Sequence, residues 1–286
     1  MTIITDERCT MYESPGHPER PFRVSGSIKK IKALSELKIN WIKPTIAPTE
    51  KVLLAHSKNH LKRLSEPYDF DGDTAYHKDI KDHALRGVGG ALKALELAIA
   101  GKPQFSLLRP PGHHATKDRA MGFCYLGSAA IAAIQANSCG SKRVAVFDFD
   151  VHHGNGSEDI LANRDGIEFF SIHQHPAYPG TGTESFNNCH NYTVQPNLPR
   201  EEYRKTAEKA IADLIAYKPD IIIASAGFDA YAGDPLCNQK LSADDFNWFG
   251  KKLSSIGVPL VNSMEGGYSN DLPDLIIAYI KGLLGK

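Results

Sequence analysis

The sequence predicts an α/β fold, with a single domain built around a central, mostly parallel β-sheet and helices on both faces. Three observations carry this. Apolar runs such as VAVF (144–147) and IIIASA (221–226) contain no alternating polar residues, as in strands buried on both faces of a parallel sheet. These runs alternate with segments whose apolar residues recur at helical spacing, the βαβα order of that class. No low-complexity linker or internal repeat divides the chain, so residues 1–286 are assigned to one domain.

The elements follow in order. Residues 2–5 (TIIT) read as a first strand. Ile28, Ile31, Leu34 and Leu37 form an apolar stripe that predicts a helix over 25–38. Pro44 and Pro48 punctuate a connection, and 51–64 reads as the next helix. After the turn DFDGDT, residues 80–100 form a long helix that Gly101 would stop. FSLLR (105–109) is a strand and 122–138 an Ala-rich helix. RVAVFDF is a strand, GSEDILAN a short helix and GIEFFSIH a strand. Residues 173–200 are rich in Pro, Gly, Asn and Thr, and a loop of that length is expected to shape a site. An amphipathic helix at 201–217, the strand DIIIASA, a helix at 243–255, the strand VPLVNSM and a helix at 270–284 complete the chain.

Composition narrows the function. The 33 basic and 33 acidic residues cancel, which leaves no overall electrostatic case for nucleic acid or an anionic membrane. The start MTIITDERC lacks a basic segment followed by an apolar core, so no signal peptide is expected. No apolar run reaches the length of a membrane span. The five cysteines are odd in number, scattered and without a CxxC pair, the pattern of reduced thiols in a cytoplasmic protein.

Four polar motifs stand directly after strand-like runs: Arg109–His114 (RPPGHH), Asp148–His153 (DFDVHH), Gly227–Asp229 (GFD) and Glu265–Tyr268 (EGGY). In an open parallel sheet, ligands gather beyond the carboxyl ends of the strands, so these four ends are expected to converge. Asp150 and His152 are two apart and point to the same side of a strand end. With Asp229 from another strand they form a candidate three-ligand catalytic metal site. Zinc is the default, with Fe2+, Mn2+ and Co2+ compatible with two oxygen ligands. A single Asp after a strand more often caps the following helix; the recurrence of the pattern at several strand ends is what points to a site. His113 and His114, held by Pro110-Pro111-Gly112, suit general acid–base work. Gly266 and Gly267 would let the backbone turn and aim the Tyr268 hydroxyl at a developing oxyanion.

The segments RPPGHH, GFCYLGSAA, DFDVHHGNG, SAGFDAYAGDPL and EGGY, in this order, resemble the histone deacetylase superfamily of metal-dependent amidohydrolases. GHPERPFRV and HSKNHLKRL resemble it too, so the likeness covers nearly the whole chain. HHGNG, with Asn155, resembles the class II branch. The resemblance implies the arginase/deacetylase fold, a parallel sheet of about eight strands between helices. It implies zinc held by Asp150, His152 and Asp229, with His113 paired to Asp148 and His114 to Asn155. Anionic Asp148 would favour a charged His113, while neutral Asn155 leaves His114 free to act as the base. Tyr268 would stabilise the oxyanion as acetate leaves an amine. The resemblance also implies a structural K+ near Asp148, Asp150, His152, Ser171 and Ile172. It implies a substrate channel with Phe123 and Tyr178 as walls, together with Gly122, Leu236 and Gly267. Asp73 sits where some relatives anchor the substrate backbone. Acetyl-lysine in proteins or peptides is the expected substrate. Small acetylated amines such as acetylpolyamines are the alternative, although Leu236 stands where polyamine-selective relatives carry a Glu. His153 is expected to be a hydrogen-bonded core residue, and no role is assigned to His173 or His175.

Overall fold

The apolar strand segments do form the centre of one sheet. The computed structural model describes every residue from Met1 to Lys286. In chain order the elements are β1 (Thr2–Ile4), α1 (Phe22–Lys32), β2 (Asn40–Ile42), α2 (Thr49–Val52), α3 (Lys58–Arg63), α4 (Ile80–Ile99), β3 (Gln104–Ser106), α5 (Ser128–Ser138), β4 (Val144–Asp148), α6 (Asn155–Leu161), β5 (Ile167–Gln174), β6 (Cys189–Val194), α7 (Arg200–Ala216), β7 (Ile221–Ala226), α8 (Ala243–Ser254), β8 (Leu260–Met264) and α9 (Leu272–Leu283). The eight strands run β2-β1-β3-β8-β7-β4-β5-β6, and every ladder is parallel.

Alternate residues of the central strands feed two separate cores. On one face Ala145 and Phe147 of β4 pack with Phe246 and Phe249 of α8 and Ile276 and Tyr279 of α9. On the other, Val144 and Val146 pack with Val88 of α4 and Ile131 and Ile134 of α5. Burial on both faces explains the unbroken apolar runs. The stacked rings of Phe149 and Phe249, with centroids 4.8 Å apart, tie the end of β4 to α8.

Several boundaries differ from the sequence reading, each for a local reason. The helix expected at 122–138 begins at Ser128, because Gly122 (φ +55°) and Phe123 (φ +67°) take left-handed backbone that an α-helix excludes. The helix expected at 25–38 is Phe22–Lys32; Leu34 and Leu37 continue its stripe as a turn closed by Leu37 N–H donating to Leu34 O. The single helix expected at 51–64 is two, since the Ser57 hydroxyl accepts from His60 N–H and starts a new helix there. Two strands went unread. β2 is a three-residue edge strand, and β6 lies inside the stretch assigned to irregular loop.

Candidate metal and catalytic site

The carboxyl ends of β3, β8, β7 and β4 lie side by side in the sheet, so the four motifs that follow them meet. Beyond β4, Asp150 Oδ2 accepts from Gly266 N–H at 2.7 Å, and beyond β7, Asp229 Oδ1 accepts from Val151 N–H at 2.9 Å. Each carboxylate is thus fixed by one oxygen, and its other oxygen faces His152. His152 Nδ1 stands 3.2 Å from Asp150 Oδ1 and 3.0 Å from Asp229 Oδ2. All three ligand atoms lie within 4.8 Å of one another, and both aspartates are fully buried. Only glycine fits at 266, where a Cβ would overlap the carboxylates of Asp229 and Asp150.

The donor set fits a divalent cation. Ligand atoms about 2.1 Å from a tetrahedral ion are roughly 3.4 Å apart, close to the spacing seen here. Burial and the adjacent charge of Asp150 push the Asp229 carboxyl up to about 7. Two buried carboxylates repelling each other are relieved by a positive charge between them.

The histidine pair is divided by its partners. His113 Nδ1–H donates to Asp148 Oδ2 at 3.1 Å, and its Nε2 lies 3.7 Å from Asp150 Oδ1. Burial opposes a charge on His113, but the attraction of Asp150 and Asp148 prevails and raises its pKa to about 10. His114 Nδ1–H donates to Asn155 Oδ1 at 2.7 Å, while the Asn155 amide nitrogen points at Met121 Sδ. Burial, then the neighbouring His113 and His152, hold the pKa of His114 well below that of a free histidine. With its Nδ1 proton engaged by Asn155, neutral His114 presents Nε2 as a proton acceptor.

Tyr268 faces His114 and His152 across a cavity of about 170 Å3 lined also by Gly122, Phe123, Tyr178, Leu236 and Asp73. Its ring meets Phe123 edge-on at 5.7 Å, and the Arg23 guanidinium lies 4.8 Å from its centroid on the protein side. Tyr178 stands edge-on to His114 at 5.1 Å. Gly122 packs directly against the His114 ring. Leu236 and Tyr178 remain partly exposed at the mouth. Gly267 (φ +117°) lies behind Tyr268 rather than among the lining residues, with its Cβ position facing Leu272 and Phe228. Asp148 and Ser171 are register partners on β4 and β5, and Ile172 follows fully buried. His153 is a buried histidine bonded to Thr181 Oγ1 and Glu158 Oε2. His173 bridges Ser171 and the Gly182 carbonyl, and His175 lies outside the cavity lining.

Sequence reasoning gave no role to the residues that hold these loops. Glu265 accepts from the N–H groups of Gly112 and His113 at 2.6 and 3.1 Å, fastening the histidine loop to the tyrosine loop. Asp234 accepts from Tyr268 N–H at 2.7 Å. Glu19 binds Arg109 and Arg23 together, and Arg23 donates to the carbonyls of Gly267 and Glu265. All five stand inside the quoted motifs, so the motifs were the available signal. A larger cleft of about 380 Å3 opens at the amino ends of β3 and β8, but its lining has no carboxylate, histidine or cysteine.

Residues 17–282 match the histone deacetylase domain family. A protein described as a probable deacetylase from Methanothermobacter thermautotrophicus is 34% identical over 303 residues, covering 100% of this chain and 91% of its own length. An acetylpolyamine amidohydrolase of Mycoplana ramosa is 32% identical over 245 residues, covering 77% of this chain and 70% of its own. The solved HD domain of HDA15 superposes with a TM-score of 0.94 at 27% identity, covering 100% of this chain and 91% of that one. An acetylpolyamine aminohydrolase from Burkholderia pseudomallei, at 24% identity and a TM-score of 0.90 over 99% of this chain and 98% of that one, shares the fold. The match spans nearly every residue and includes all four strand-end motifs, and on it the chain belongs to the histone deacetylase domain family, a family of metal-dependent deacetylases.

Proposed function

We propose that this protein hydrolyses the amide of acetyl-lysine in proteins or peptides, with Asp150, His152 and Asp229 as metal ligands, His114 as general base and Tyr268 as oxyanion donor. The carrying observation is the pairing of a neutral His114, its Nε2 free, with a metal-fitting trio and a tyrosine around one small cavity. Zinc, or Fe2+, Mn2+ or Co2+ in the same donor set, would polarise the acyl carbonyl and acidify water.

The chain's own residues do the rest. His114 Nε2 takes a proton from water as it attacks the carbonyl carbon, and Asn155 keeps the ring in the tautomer that allows this. His113 stays protonated between Asp148 and Asp150 and supplies a fixed positive charge. The Tyr268 hydroxyl donates to the carbonyl oxygen as negative charge develops there. His114 then returns its proton to the departing amine, and acetate is left. Gly122, Phe123, Tyr178, Leu236 and Gly267 are assigned to the channel, with Phe123 and Tyr178 gripping the aliphatic chain. The oxygen-bearing ends of β4 and β5 around Asp148, Asp150, His152, Ser171 and Ile172 are assigned to a structural K+. The five cysteines are all unpaired, consistent with a reducing, cytoplasmic setting.

A second reading, deacetylation of small acetylated amines, draws on the relatives named acetylpolyamine amidohydrolases. Turnover of an acetyl-lysine peptide against acetylputrescine, with defined metals, separates the two. Faster hydrolysis of acetylputrescine would replace the first reading by the second, and hydrolysis of neither would sink both.

A further inference from the structure

The HSKNHL segment carries two buried histidines that the catalytic assignment leaves unused. Both point at one loop, residues 115–127, which leaves the histidine pair, forms the channel wall at Gly122 and Phe123, and enters α5. The neutral His56 ring spans the base of this loop. Its Nδ1–H donates to Thr116 O at 2.8 Å, and its Nε2 accepts from Gly127 N–H at 2.9 Å. A carbonyl can only accept and an amide N–H can only donate, so these partners dictate the tautomer. One turn on, His60 Nε2–H donates to Tyr125 O at 2.8 Å, leaving its buried Nδ1 without a partner. The two rings lie 4.9 Å apart, and Ser57 N–H adds a bond to Lys117 O at 3.0 Å.

Other bonds hold the loop between these ties: Thr116 N–H donates to Arg119 O at 2.9 Å, Lys117 N–H donates to Asp159 Oδ2 at 2.8 Å, and the Tyr125 hydroxyl donates to Ala75 O. Met121 and Cys124 close a tight turn on each other, and Phe123 N–H donates to Thr74 Oγ1 at 3.1 Å. Its tip holds two successive residues in left-handed backbone, unfavourable for Phe123. Such a conformation persists where the surroundings over-determine it. The tip also packs on His114, through Gly122, and on Tyr268, through Phe123.

We propose that His56 and His60 are positioning residues, a two-ring clamp that ties both ends of the 115–127 loop and thereby sets the Gly122–Phe123 wall of the channel. The clamp rests on the proposed function only in naming that wall a substrate wall; the tethering itself does not depend on it.

Hydrogen–deuterium exchange on the full chain tests the tether without needing a substrate. In His56→Ala, exchange across 116–127 should rise about 10-fold or more, as two lost bonds imply, while β4 and β7 stay protected. His60→Ala should loosen the segment around Tyr125 alone. His56→Gln, which can still donate and accept, should recover most of the protection. With an acyl-amide substrate, KM of His56→Ala should rise about 10-fold while kcat falls no more than ~3-fold. Unchanged exchange in the loop overturns the clamp. So does a uniform rise over the whole sheet, which marks a core residue and no more. Loosened exchange with unaltered KM overturns the positioning role. A wild-type chain inactive on every acyl-amide would sink the deacetylase reading, while the exchange data would still decide the tether.

Discussion

Replacing Glu19 by Gln isolates a charge that holds the histidine loop and the tyrosine loop together. The Glu19 carboxylate is buried between Arg109, which is fully buried, and Arg23, which is 1% exposed. It accepts from Arg109 Nη2 at 2.7 Å, Arg23 Nη1 at 3.0 Å and Tyr12 O–H at 3.1 Å. Burial alone would raise its pKa, but the two guanidiniums prevail and hold it at about 2. Against an unfolded value of 4.5 the difference is 2.5 units, or roughly 3 kcal/mol of stability at neutral pH. Removing one partner of a buried ion pair costs a similar ~3–5 kcal/mol. For 286 residues the unfolding entropy is about 0.6 kcal/mol per degree, so Tm should fall by roughly 5 °C. The sign with pH follows from the depressed value. The contribution is complete above about pH 4.5 and is lost as pH falls towards 2. Thermal and urea unfolding of wild type and Glu19→Gln, at pH 7 and at pH 3, measures it. The gap should be widest at pH 7 and shrink in acid. A variant within ~0.5 kcal/mol of wild type at pH 7 would refute the argument.

Asp229→Ala should abolish tight metal binding; a purified variant that keeps stoichiometric zinc by elemental analysis removes Asp229 from the ligand set. Tyr268→Phe should lower kcat on the order of 10²–10³ with little change in stability, and near-normal turnover would dismiss its oxyanion role. His114→Ala should damage kcat more than His113→Ala, by on the order of 10-fold. The reverse order would exchange the base assignment.

What could be read from the chain in advance follows from where each signal resides. β4, β7 and β8 were legible because burial on both faces leaves unbroken apolar runs, and the convergence of the candidate site residues was legible because they stand directly after them. β2 escaped because Asn40–Ile42 is three residues at the sheet edge, short of any period. β6 escaped because CHNYTV, an edge strand, is mostly part-exposed and polar. The late start of α5 was hidden because Phe123 in left-handed backbone has no compositional mark. The loop-holding residues were hidden for a different reason. Glu265 bonds to Gly112 and Glu19 to Arg109, partners 153 and 90 positions away, and only the assembled sheet declares such pairs.

The adjacency of β4 and β7 has a consequence for how the chain matures. Parallel neighbours need a long crossover, and here β5, β6 and α7 intervene before β7 can join. Asp150 and Asp229 therefore become neighbours only after that whole excursion has returned to the centre. On the proposed ligand assignment, metal uptake would double as a checkpoint of assembly: before β7 returns, Asp150 and His152 lack Asp229, and the full trio exists in the finished sheet alone.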